Sequence, residues 1–284
     1  MQKASALTRF VASGFALGAI LSGCGQSPQP TAGSAAPPNA QAPVAGRYLA
    51  RAGDPAALPA GSVYRNPATG RDEVVVPDMR HTALLIGDSQ SEPANGWPRV
   101  GLAAVGYKVH FCGLGGTGFV AANGKTGNFI DALQRGDWKL PYGTPALIVI
   151  QGGGNDAAQG ATDAQIVANA DRLIGALRDR YPGARMAMIG TLARGANYGG
   201  GRRAQVDALI GTVAARNGIP FVGVGDWLTK YNLTKNLADA VHMDAAGQQA
   251  LGALLGSRLR ILGFEGPPVD ATAPVAVSAS APAE

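Results

Sequence analysis

Five short apolar runs recur through the middle of this chain: TALLIG at 82–87, KVHFC at 108–112, ALIVI at 146–150, RMAMIG at 185–190 and PFVGV at 220–224. They are largely apolar on consecutive positions, the pattern of strands covered on both faces. Helical periodicity fills the intervals. Over Thr162 to Tyr181, Ile166, Ala170, Leu173 and Leu177 share one face, and Thr162 with Gln165 has the spacing of a capping box. Over Arg202 to Arg216, Val206, Leu209, Ile210 and Val213 do the same, and a last helix begins near Asp244 and turns Leu251, Leu254, Leu255 and Leu259 inward. Strand and helix in alternation predict a three-layer α/β/α sandwich around a mainly parallel sheet. Upstream, SVYRNPATGRDEVVVP has the spacing of a hairpin.

The two ends read differently. Lys3 and Arg9 precede the apolar run FVASGFALGAIL, which is too short to span a bilayer and matches the core of an export signal. It ends in LSGC, which resembles the lipobox of bacterial lipoproteins, so Cys24 is the expected lipidation site and residues 1–23 the signal peptide. That implies an extracytoplasmic chain, lipid-anchored to a bacterial membrane (the outer one in a Gram-negative cell) or otherwise periplasmic or at the cell surface. Residues 24–48 are rich in Ser, Pro, Gln, Ala and Gly and read as a disordered tether, and 266–284 as a tail of the same kind. Residues 49–80 form an N-terminal arm, and 81–265 the main domain. With Cys24 acylated, Cys112 is the one remaining thiol and reads as a small core residue. The net charge is +5, without a Lys/Arg block, so no nucleic-acid partner is expected.

In an open parallel sheet the ligand crevice lies beyond the carboxyl ends of the strands. Three polar, Gly-rich turns follow the first three strands there: GDSQ at 87–90, GLGGTG at 113–118 and QGGGND at 151–156. Gly113, Gly115 and Gly118 spell G-x-G-x-x-G, but Asn123-Gly124 and Gly127-Asn128 break the helix that should follow a dinucleotide loop. Gly124-Lys125-Thr126 lacks the earlier glycine of a phosphate loop, because Phe119 stands at that position. A nucleotide is therefore not expected.

Ser89 is a candidate nucleophile, and it needs a base. His81 precedes the strand that Ser89 follows, about 26 Å away at ~3.3 Å per residue. His110 lies inside the second strand and reads as a satisfied core histidine packed against a helix. His242 sits in a loop just before the last helix, with Asp239 three residues upstream to orient it. Oxyanion donors are available from the Ser89 amide, from a glycine amide of GLGGTG and from the Asn155 side chain. The α/β-hydrolase elbow G-x-S-x-G is absent. Trp97 has two readings, lining an acyl pocket or packing the core. Arg202 and Arg203 read as a solvated helix start.

GDSQ, GLGGTG, GGND and DAVH, in that order, resemble the four blocks of the SGNH (GDSL-like) hydrolase family. The resemblance spans about His81 to Phe264. It implies a flavodoxin-like sandwich that cleaves esters with no metal and no cofactor. It also implies Ser89 as nucleophile, Gly116 and Asn155 as oxyanion donors (Gly115 being the competing glycine), and His242 as base with Asp239 behind it. Gln90 stands where the family usually has Leu, and Phe111 where an Asn commonly precedes the glycines. The expected activity is serine esterase on short-chain acyl or acetyl esters, acting on a small acyl ester or an acylated polysaccharide as a monomer. The alternatives are an acyltransferase and a non-catalytic carbohydrate-binding surface protein.

Overall fold

The computed structural model describes residues 54–267, all within the unit Gly46–Glu284. Cys24, the expected export signal and tether, and nearly all of the expected tail lie outside the described residues. The described chain runs β1 (Val63–Asn66), β2 (Arg71–Val74), β3 (Thr82–Gly87), α1 (Trp97–Ala104), β4 (Lys108–Gly113), α2 (Phe129–Arg135), β5 (Leu140–Pro141) and β6 (Leu147–Gln151). It continues through α3 (Gly154–Ala158), α4 (Asp163–Arg180), β7 (Arg185–Ile189), α5 (Gly201–Arg216), β8 (Phe221–Val222), α6 (Trp227–Lys230) and α7 (Ala245–Ile261).

Five strands form one parallel sheet in the order β4-β3-β6-β7-β8. This is the flavodoxin-like order, and its switch point falls at β3, where the chain turns first to β4 and then to β6. Successive residues of each strand face opposite sides. Leu84, Ile86, Ile148, Ile150 and Met188 pack with α2, α4 and α5, while Leu85, Leu147, Val149 and Ile189 pack with α1, α6 and α7. The result is the three-layer sandwich. β3 and β6 are buried at every position, but β4 is the sheet edge and only Cys112 on it is fully buried. Burial pushes the Cys112 thiol up to about 12. A second, smaller sheet joins the β1–β2 antiparallel hairpin to β5.

The helix ends follow from side chains. Thr162 and Gln165 close a full capping box at α4, and the Asp244 carboxylate accepts the Gly247 N–H at the start of α7. Leu209 and Leu254, expected inside, are half-buried, because each lies at the margin of its helix's apolar stripe. The α1–α7 contact is close: a Cβ on Gly101 would stand 2.6 Å from Leu255 Cδ2, and one on Gly252 2.6 Å from Val100 Cβ.

Candidate active site

The site is built where the ends of β3, β4 and β6 meet the loop before α7. Asp88 follows β3 and is buried; its Oδ1 accepts the Gln90 N–H at 3.0 Å, and its carbonyl accepts the Ser91 and Glu92 N–H groups. This one-turn curl leaves Ser89 half-buried at the crevice. Burial pushes the Asp88 carboxyl up to about 6. With its nitrogen turned toward Ser91 and Asp88, the Gln151 amide donates to Ser91 Oγ (2.6 Å) and Asp88 Oδ1 (3.3 Å) and accepts the Gly152 N–H.

On the other side, Asp239 Oδ1 accepts the N–H groups of Val241 and His242, both at 2.7 Å, and the Ala238 N–H donates to the His242 carbonyl. These bonds wind residues 238–243 into a tight loop. Donation from the Val241 and His242 N–H groups, and from the imidazole, holds the Asp239 carboxyl well below the usual carboxylate range. Asp239 Oδ2 lies 2.8 Å from His242 Nδ1, and His242 Nε2 lies 2.8 Å from Ser89 Oγ. An ionised carboxylate only accepts, so Nδ1 carries the proton and Nε2 faces the hydroxyl as acceptor.

The other turns complete the crevice. Gly113 faces Gly87 across β3–β4, where any Cβ would collide with the Gly87 carbonyl. Gly115 lies against Ser89, and its N–H donates to Glu92 Oε2 at 2.7 Å. Gly116 has φ +81°, and no protein acceptor for its amide is present among the described residues. Asn155 Nδ2 donates to the Thr117 carbonyl at 2.9 Å, which orients the amide and leaves its second hydrogen for another acceptor. The fully buried Asp156 accepts the N–H groups of Phe119, Val120 and Ala121, fixing the loop after β4.

Trp97 packs the core with no exposed surface, and its indole N–H donates to Gln90 Oε1. His110 is satisfied, as expected, by the Lys139 carbonyl (Nε2···O 3.1 Å), though it is half-buried on the edge strand rather than in the core; burial lowers its pKa. Arg202 and Arg203, expected to be solvated, are half-buried instead. Arg202 pairs with Asp163 at 2.6 Å, and Arg203 donates to the Leu192 and Gly154 carbonyls, beneath the turn that carries Asn155. Gln90 is the residue that the sequence reading left without a role. Its Nε2 donates to the Val241 carbonyl at 2.9 Å while its Oε1 accepts from Trp97, so it ties the nucleophile turn to the histidine loop. The departure from the family's Leu was the one available signal.

Residues 82–250 match the model of the GDSL-like Lipase/Acylhydrolase family. Among solved structures, a family two carbohydrate esterase from Cellvibrio japonicus is 16% identical, with a TM-score of 0.51, over 68% of this chain and 64% of that one. A family two carbohydrate esterase from Clostridium thermocellum in complex with cellohexaose is 17% identical (TM-score 0.48, 69% of each chain). The psychrotrophic esterase EstA from Pseudoalteromonas sp. is 14% identical (TM-score 0.48, 64% of this chain and 99% of that one). The chain thus spans about two thirds of the length of the carbohydrate esterases and nearly all of EstA. No curated protein matches. With a family match over residues 82–250 and a flavodoxin-like sheet to carry it, this chain belongs to the GDSL-like lipase/acylhydrolase family of ester-bond hydrolases.

Proposed function

We propose that the chain is a serine esterase that removes short acyl or acetyl groups from a polymer-borne ester through an acyl-enzyme on Ser89. The observation that carries this reading is the unbroken hydrogen-bonded line Asp239–His242–Ser89, 2.8 Å at each step. Ser89 Oγ attacks the ester carbonyl and its proton passes to His242 Nε2. Asp239 stabilises the imidazolium that results. The carbonyl oxygen gains charge and is met by the amides of Ser89 and Gly116 and by the second N–H of Asn155. Gly116 serves better than Gly115, whose N–H is already taken by the Glu92 carboxylate. His242 then returns the proton to the leaving alkoxide, and water, activated by the same imidazole, cleaves the acyl-enzyme.

Exposure supports a polymeric substrate. The His242 and Asp239 side chains are 39% and 56% exposed, so the base lies at an open rim rather than at the end of a tunnel. An acyl group projecting from a sugar chain can reach such a rim without the chain entering a cavity. The likeness to carbohydrate esterases contributes the fold alone. A short-chain p-nitrophenyl ester series and an acetylated polysaccharide panel test the assignment: acetyl release is expected, and Ser89→Ala should abolish it. Turnover unaffected by Ser89→Ala would refute the serine mechanism. Faster acyl transfer to an added sugar than to water would make the chain an acyltransferase.

The cellular setting belongs to the same proposal. The lipobox-like LSGC supports anchoring through an acylated Cys24. No helix among the described residues is long and apolar enough to cross a membrane. Wild-type chain should fractionate with membranes and Cys24→Ser should not; unchanged fractionation would remove the anchor.

A further inference from the structure

A second cavity, of about 430 Å³, lies among the β1–β2 hairpin, the C-terminal end of α2 and the end of α4. None of its lining residues belongs to the proposed catalytic set. Its walls carry four arginines, Arg65, Arg71, Arg135 and Arg180, together with Glu73 and Trp138.

The hydrogen bonding of this cavity is one-sided. Arg65 pairs with Asp72 at 3.2 Å and Arg135 with Asp137 at 2.7 Å. Arg180 pairs with the buried Glu73, whose carboxylate also accepts from Asn66 Nδ2 and Thr69 Oγ1. Arg71 has no carboxylate partner among the described residues, and its guanidinium donates to the Leu133 carbonyl. Trp138 Nε1 and Arg180 Nε make no hydrogen bond, and both atoms are fully buried, so they lie within the cavity wall rather than on its surface. Among the described residues Arg71 is thus the cation of this cavity that no carboxylate compensates.

We infer that this cavity is a binding site for an oxyanion, a carboxylate or phosphate carried on a ligand of monosaccharide size. The volume falls in the range of small-molecule sites. An Arg fork matches two oxygens of either group. A uronate and a phosphorylated sugar share this chemistry. The inference does not rest on the esterase reading, because occupancy is measured without turnover.

The full chain, labelled with ¹⁵N, reports the site directly through its three tryptophan indole N–H signals, with the Trp138 signal assigned by Trp138→Phe. Titration at constant ionic strength uses inorganic phosphate, galacturonate and neutral galactose. A saturable shift of the Trp138 indole is expected with at least one anion and none with galactose. Arg71→Gln should weaken binding about tenfold, with the Trp97 and Trp227 signals unmoved to show an intact fold. Response to phosphate alone or to galacturonate alone identifies the anion carried by the ligand. No shift with either anion, an equal shift with galactose, or unaltered affinity in Arg71→Gln would overturn the inference.

Discussion

Two Asp-x-x-His tetrads occur in this chain, and both close the same local contact. Asp78 Oδ1 meets His81 Nδ1 at 2.6 Å, and Asp239 Oδ2 meets His242 Nδ1 at 2.8 Å. Only the second points a free ring nitrogen at Ser89; the first lies at the opposite end of β3. Asp239 has two separable tasks, because Oδ1 builds the loop and Oδ2 orients the imidazole. Asp239→Asn keeps an oxygen for the Val241 and His242 N–H groups but places an NH₂ against the Nδ1 proton. It should lower kcat by about 10²- to 10⁴-fold with KM and melting temperature nearly unchanged; a loss under about threefold would remove Asp239 from the mechanism. Gln90→Leu restores the family's usual residue yet leaves Trp97 Nε1 and the Val241 carbonyl unpartnered. A stability loss of about 1–3 kcal/mol by urea unfolding, together with a reduced kcat, is expected; a variant as stable and active as wild type would show that the bridge is dispensable. The positions of Ser89, Asn155 and His242 could be read from sequence because each follows a recognisable strand or precedes a recognisable helix. Gln90 and Glu92 could not, since their partners Val241 and Gly115 are remote in sequence and brought near only by folding.

Elements succeed or fail on their burial. β3 and β6 are legible as continuous apolar runs because helices cover both their faces. β4 reads the same way but proves to be an edge, and PFVGV contributes only Phe221–Val222 as strand. β5, two residues long, leaves no periodic signal at all. The α1–α7 pair rests on glycine: Gly252 faces Val100, a β-branched side chain with little rotamer freedom, and Gly101 faces Leu255. Gly252→Ala would gain up to about 1 kcal/mol in helix propensity, but its Cβ overpacks the interface at a cost of about 1–3 kcal/mol. Net destabilisation is expected in urea unfolding, whereas Gly175→Ala in α4, where a Cβ meets nothing within 4 Å, should be neutral or stabilising. Stabilisation by Gly252→Ala would mean that the helices are not in close contact.

Across the whole molecule, buried carboxylates link the loops at the top of the sheet. Asp88 and Asp207 are both pushed up to about 6, mainly by burial. The Asp207 carboxylate accepts the Thr191 and Val224 N–H groups and so joins the ends of β7 and β8. Between about pH 4 and 6 the folded chain retains protons that the unfolded chain, near the ordinary value of 3.8, has released. Unfolding free energy should therefore fall as pH rises through that window, by on the order of a few kcal/mol in total, and level off above it. The carboxyls held low, Asp78, Asp137, Asp171 and Asp239, act in the opposite sense, but only below about pH 5 where the unfolded carboxyls still titrate, so the fall is read above about pH 5. Urea denaturation between pH 5 and 7.5 checks this, and stability that rises between about pH 5 and 6 would contradict it. The three-layer order was legible from strand–helix alternation alone. The Arg-lined cavity was not, because it needs the hairpin, α2 and α4 to converge from segments more than 100 residues apart.

Everything proposed for catalysis converges on one covalent event at Ser89. Rapid quench of the chain with p-nitrophenyl acetate, followed by peptide mass analysis, should find the acetyl group on the Ser89 peptide in wild type. The adduct should form far more slowly in His242→Ala and be absent in Ser89→Ala. Turnover accompanied by no acetyl group on Ser89, or acetylation of Ser89 at an unchanged rate without His242, would contradict the account.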